Sequence, residues 1–142
     1  MKHEGWRMGL DWPAAIRDFE AFLQEAGLVC QRRGEDQAAF GNKLLQYGSP
    51  NIGVRIVSDR GTWSVEIAEV VTRPDEWYDA AILRDLLVGR GEDVLSLSDQ
   101  IKIIETSWPV LIERFCPAHR EDTHRQLALL RKERSKRRFP EF

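Results

Sequence analysis

The stretch that most constrains the fold runs from Asn51 to Val71, N-I-G-V-R-I-V-S-D-R-G-T-W-S-V-E-I-A-E-V-V. Apolar residues occupy every second position on the way in, at Ile52, Val54 and Ile56, and again on the way out, at Trp63, Val65 and Ile67. That period belongs to half-buried strands, and Ser58-Asp59-Arg60-Gly61 between the arms supplies a glycine where a turn needs positive φ. The stretch therefore predicts a β-hairpin. Directly opposed residues of a hairpin point to one face. Pairing Ile56 with Val65 and Val54 with Ile67 buries all four, and the same register sets Arg55 against Glu66 on the other face. Such an opposite-charge pair contributes ~0.2–1 kcal/mol. A slip of one residue would oppose apolar to polar side chains throughout. One face is thus for packing and the other is wet, the pattern of an antiparallel sheet.

The flanking segments extend this plan. Asp11-Trp12-Pro13 predicts a helix start, with Asp11 as cap and Pro13 in the first turn. Ile16, Phe19, Phe22, Leu23 and Ala26 then form a helical stripe, and Gly27 stands where a helix C-terminal glycine belongs. Leu28 to Arg32 reads as a strand, Arg33-Gly34-Glu35-Asp36 as a turn, and Gln37 to Tyr47 as a second strand with a bend at Gly41-Asn42. Thr72-Arg73-Pro74-Asp75 closes the hairpin's outgoing arm. A helix beginning at Asp75 or Trp77 is expected to turn Trp77, Ala81, Leu83 (or Ile82), Leu86 and Leu87 inward, ending at Gly89-Arg90-Gly91. Ser98 is the expected cap of a further helix carrying Ile101, Ile104, Trp108, Leu111, Ile112 and Phe115, which Pro109 should kink or restart. Arg120 to about Lys136 forms the last helix. Strands and helices segregate along the chain. The expected fold is α+β: an antiparallel meander of about four strands, with an N-terminal helix and three to four C-terminal helices packed on one face. With 142 residues, 1–142 are expected to make a single domain.

Net charge is −2, so the whole molecule carries no strong attraction for polyanions. The charge is uneven, however. Residues 131–138 hold Arg131, Lys132, Arg134, Lys136, Arg137 and Arg138 against Glu133, a net of +5, which leaves −7 on the rest. This run suggests nucleic-acid contact or docking on an acidic surface, or simply a solvated helix end where cations suit the dipole. The two cysteines, Cys30 and Cys116, imply a reducing compartment and small buried side chains. No apolar run marks a signal peptide or a membrane span, so a cytoplasmic location without membrane contact is expected.

The chemistry-bearing residues form no recognisable constellation. No serine sits in G-x-S-x-G. Cys116, His119 and His124 have a C-x2-H-x4-H spacing, which suggests a thiol–imidazole dyad or three zinc ligands. A structural zinc takes four, however; Cys30 could be the fourth only if the fold brings it there, and no second paired ligand motif exists. Exposed histidines at a helix start are the simpler reading. Gly89-Arg90-Gly91 follows a helix instead of a strand, so it reads as a cap and not as a phosphate loop. Glu66 and Glu69 have opposite strand parity and cannot face each other as an acid–base pair. No catalytic, cofactor or metal residue is assigned, and the chain is expected not to be an enzyme.

The block Phe40-Gly41-Asn42, Tyr47, Val54-Arg55-Ile56-Val57, Asp59-Arg60-Gly61 and Trp63, followed by Glu76-Trp77-Tyr78-Asp79 and Leu83-Arg84-Asp85-Leu86-Leu87, resembles small uncharacterised bacterial proteins. Some of these are similar to immunity proteins encoded beside secreted toxins. The resemblance spans the middle half of the chain and implies a stoichiometric inhibitor of one toxin, without catalysis of its own. The modest net charge departs from the acidic pattern of immunity proteins directed at nucleases and argues against a nuclease target. The expected function is a non-catalytic protein-binding module, with a cognate toxin as the specific partner. The alternative is a nucleic-acid-associated regulator using the basic C-terminal helix. The candidate partner-binding residues are Arg55 and Glu66 on the wet face, and Arg131, Lys132, Arg134, Arg137 and Arg138 in the basic run.

Overall fold

The computed structural model describes residues 12–36 and 42–138. The elements follow the order α1 (Ala14–Glu25), β1 (Val29–Asp36), β2 (Asn42–Gly48), β3 (Ile52–Asp59), β4 (Thr62–Glu69), β5 (Tyr78–Asp79), α2 (Ala80–Leu87), α3 (Leu97–Arg114) and α4 (Arg120–Arg138). The five strands form one sheet in sequence order, and every neighbouring pair is antiparallel. The fold is α+β, with the helices on one face of a meander.

The hairpin register is the expected one. Ile56 lies opposite Val65, Val54 opposite Ile67 and Arg55 opposite Glu66. The four apolar residues are at most 1% exposed. Its turn is tighter than the polar cluster suggested. Ser58 and Asp59 belong to β3, and only Arg60 and Gly61 make the loop, with φ of 55° and 85°. Two successive positive φ values define the mirror-image turn whose twist matches that of the strands. The Arg60 N–H donates to Asn42 Oδ1 at 2.9 Å, anchoring the tip to β2.

The inner face of the sheet presents Leu45, Tyr47, Ile52, Val54, Ile56, Val65, Ile67 and Tyr78 to the helices. Ile16, Phe19 and Leu23 cover it from α1, Ile82 and Leu83 from α2, Ile101, Ile104 and Leu111 from α3, and Leu127 from α4. Gly27, at φ 94°, closes α1: the Gly27 N–H bonds Gln24 O and the Leu28 N–H bonds Leu23 O, both at 3.0 Å. Leu28 and Leu23 are both buried, as this helix-ending motif favours.

Several boundaries differ from expectation. Arg33–Asp36 is no turn: β1 continues through it, because β2 offers a partner at each position from Arg32 to Asp36. The register shifts between Cys30 and Arg32, which places a bulge at Gln31 that the sequence did not suggest. Residues 37–41, with Phe40 and Gly41, and the expected cap Asp11 lie outside the described residues. Pro13 itself is the N-cap of α1 and makes no side-chain cap bond. A fifth strand, two residues long, precedes α2. The helix begins at Ala80 because Asp79 caps it, accepting from the Ile82 N–H at 2.9 Å. Ser96, not Ser98, caps α3 through the Asp99 N–H. Pro109 does not restart that helix, which runs unbroken from Leu97 to Arg114.

Candidate functional site

The outer face of the sheet carries the residues of opposite parity. Across β2, β3 and β4 one row reads Gln46, Arg55, Glu66 and the next reads Leu44, Val57, Ser64. All six are half-buried. Arg55 Nε donates to Glu66 Oε1 at 2.5 Å, and Ser64 Oγ donates to Glu66 Oε2 at 3.0 Å. The Arg55 guanidinium also stacks over the Trp77 ring, 4.5 Å from its centroid. Trp77 reaches this position from the β4–β5 connection, not from the inner face of a helix. It can do so because Gly53 has no side chain: a Cβ there would lie 3.2 Å from Trp77 Cη2 and from Val70 Cγ1. Arg55 is thus held in place from two sides by Glu66 and Trp77. Beside it, Gln31, Arg32, Arg33, Gly34, Asn42, Lys43, Leu44, Arg55 and Val57 line a concavity of about 880 Å³.

The basic run sits differently from the sequence expectation. Arg134 makes a two-point ion pair with Asp79, with Nη2–Oδ2 at 2.7 Å and Nη1–Oδ1 at 3.2 Å. Burial opposes ionisation of Asp79, but the Arg134 and Ile82 N–H bonds outweigh it and hold its carboxyl below the usual value. The same pair raises the Arg134 guanidinium. Arg131 donates to the Trp77 carbonyl and stacks over Tyr78 at 4.4 Å. Arg137 and Arg138 lie 3.5 and 3.7 Å from the Asp93 carboxylate. Arg131 and Arg134 are therefore engaged by the protein's own groups, whereas Arg137 and Arg138, though near Asp93, are exposed, as is Lys132. The acidic surface that this helix end meets belongs to the same chain.

The most concentrated polar chemistry is internal and was not nominated from sequence. Glu69, His124 and Tyr78 are 0%, 2% and 1% exposed. His124 Nε2 lies 2.9 Å from Glu69 Oε1, His124 Nδ1 lies 2.7 Å from Tyr78 Oη, and Tyr78 Oη donates to Glu76 Oε1 at 2.7 Å. The four groups thus form one continuous hydrogen-bond chain from the buried Glu69 through His124 and Tyr78 to Glu76. Glu69 Oε2 accepts from the N–H groups of Val71 and Thr72 at 2.7 and 2.8 Å, and the Thr72 hydroxyl bonds Oε1. Burial disfavours the Glu69 anion, but the bonds from His124, Thr72 and Val71 override that and bring it down to about 2. Burial and then the Glu76 bond push the Tyr78 hydroxyl far above its ordinary value. A second such cluster joins α1 to the sheet: Tyr47 Oη donates to Glu20 Oε2 at 2.7 Å, and Arg33 bonds the same oxygen. Burial and this carboxylate raise Tyr47 to about 12.

His124 is therefore a core residue, correcting its reading as an exposed histidine, whereas His119 is exposed. The cysteines are not buried: Cys30 is exposed and Cys116 half-exposed. Among the described residues no group of three or more His, Cys, Asp or Glu is placed to hold a metal ion. No helix there is long and apolar enough to cross a membrane. The sequence reading misplaced Trp77 and His124 and nominated neither Glu69 nor Tyr78. For Glu69 the signal was its parity with Val65 and Ile67, which aims it inward. No protein-family model, curated protein or solved structure matches the chain.

Proposed function

We propose that the protein is a non-catalytic protein-binding module of the immunity type, which contacts its partner through the outer sheet face. The carrying observation is the Trp77–Arg55–Glu66 constellation on a sheet face that the four helices leave uncovered. Tryptophan and arginine dominate binding energy at protein interfaces, most effectively when held in place before the partner arrives. Here the guanidinium is fixed by a carboxylate and a ring, with Leu44 and Val57 adjacent as apolar contact area. On this reading the buried cluster is structural. Its histidine, tyrosine and glutamate bond one another beneath the surface, and each bond joins the sheet to α4 or to the β4–β5 connection. The nucleic-acid alternative has less support, because Arg131, Arg134, Arg137 and Arg138 are directed at Trp77, Tyr78, Asp79 and Asp93.

The test is co-expression with the product of the reading frame beside its gene. A stable complex on gel filtration, weakened at least about tenfold by Arg55→Glu and by Trp77→Ala, is the expected result. A complex indifferent to both substitutions, or none at all, counts against the proposal.

A further inference from the structure

Strand β1 is the first in the sheet order, and among the described residues no strand pairs with its outer edge. Edge strands invite pairing with another chain, and proteins commonly blunt them with charge or a bulge. β1 has its bulge at Gln31. Beyond it the strand reads Arg32-Arg33-Gly34-Glu35-Asp36, two cations, a glycine and two anions. Reversed, that order is its own electrostatic complement.

We propose that β1 pairs antiparallel with β1 of a second copy, about a two-fold axis passing through Gly34. Arg33 then stands opposite Glu35 of the second copy and Arg32 opposite its Asp36, twice over by symmetry. Opposite charges across a strand pair attract and like charges repel. Other arrangements lose this match. An axis at Arg33 or Glu35 sets that charged residue against itself, and parallel in-register pairing sets every charge against its like. Gly34 is the one residue of the five that can meet its own copy without repulsion.

No steric or backbone requirement among the described residues accounts for this glycine. Its φ is not in the left-handed region, and a Cβ built on it meets nothing within 4 Å. Glycine inside a strand weakens it, and commonly marks the approach of another backbone. Arg32 is exposed, whereas Arg33 already donates to Glu20 on the core side. Arg32 is thus the residue to vary. An axis of this kind stands perpendicular to the sheet, so the two five-stranded sheets become continuous and both Arg55–Trp77 surfaces look the same way. The ladder is short, and the dimer is expected to depend on concentration.

Sedimentation of the full chain over a range of concentrations tests this. The expected result is a monomer–dimer equilibrium in which Arg32→Asp or Asp36→Arg each lowers the association constant at least tenfold and the two together restore it. Directly opposed residues in an antiparallel pair have Cα atoms ~4.5–5.5 Å apart, within the reach of a disulfide. Gly34→Cys, with Cys30 and Cys116 replaced by serine, should therefore cross-link on mild oxidation with the charges left intact. This arm decides the matter should the charge variants fail to fold. A wild-type chain that stays monomeric at every concentration, or a dimer that neither responds to the charge swaps nor cross-links at residue 34, overturns the proposal. Neither result touches the Arg55–Trp77 reading, whose readout is a complex with a different protein.

Discussion

Glu69 shows how one buried side chain sets the acid limit of the fold. Its carboxyl lies at about 2 against an ordinary value of 4.5. A depressed carboxyl stabilises the folded state fully above its unfolded value, and loses that contribution as pH falls through the folded one. Stability on the order of 3 kcal/mol should therefore be present at pH 7 and decline between about pH 4.5 and about pH 2. Urea midpoints recorded across that window should show the decline in the wild type and a flatter profile in Glu69→Gln. Gln100 serves the sheet as Glu69 serves the core. Its Oε1 accepts from the Val65 N–H at 2.8 Å, and its Nε2 donates to the carbonyls of Trp63 and Leu95 at 3.0 and 3.1 Å. These β4 groups lie where β5, only two residues long, no longer reaches. Gln100→Ala should leave a buried N–H without a partner and cost ~1–3 kcal/mol in chemical denaturation.

At the scale of elements, α4 is attached by its charged end as much as by its few leucines. Leu127 is fully buried, but Leu129 is 61% exposed. Asp79 both caps α2 and holds Arg134, so Asp79→Ala removes two functions at once. We expect a loss of about 2 kcal/mol or more, with a double-mutant cycle against Arg134→Ala showing positive coupling, since removing either partner strands the other. Ending the chain at Lys132 should likewise lower the thermal midpoint, an outcome foreign to a merely solvated tail. Helix α3 carries the opposite kind of feature. Pro109 lies inside it, where it can donate no hydrogen bond to the carbonyl of Glu105. Pro109→Ala should raise the unfolding free energy by up to about 3 kcal/mol, read as a higher urea midpoint.

At the scale of the whole molecule, charge placement matters more than charge total. The −2 net charge and the +5 run suggested a protein with a basic handle. In the fold part of that handle is used internally: Arg134 pairs with Asp79, and Arg137 and Arg138 lie near Asp93. Gel-shift titration at low salt should accordingly show no retardation of duplex or single-stranded nucleic acid. A shift that disappears when residues 131–142 are removed would revive the nucleic-acid reading. Among the described residues, the four helices cover the inner sheet face and leave the outer one to the Arg55–Trp77 pair.

The sequence by itself determined what short-range physics decides. Period-two alternation set the hairpin and its register, since a one-residue slip would expose Val54, Ile56, Val65 and Ile67 together. Helical stripes and Gly27 set α1 in the same way, and the segregation of strands from helices set the α+β class. Only the tertiary structure decided which distant groups meet. A two-residue strand such as β5 has no periodicity to read. The continuation of β1 through Arg33–Asp36 depends on β2 lying beside it. Glu69 meets His124 across 55 residues of chain, as Asp79 meets Arg134. No local pattern encodes those encounters. Packing of α4 against the sheet brings them about, and it turned a histidine expected in solvent into a core residue and a basic tail into a clasp.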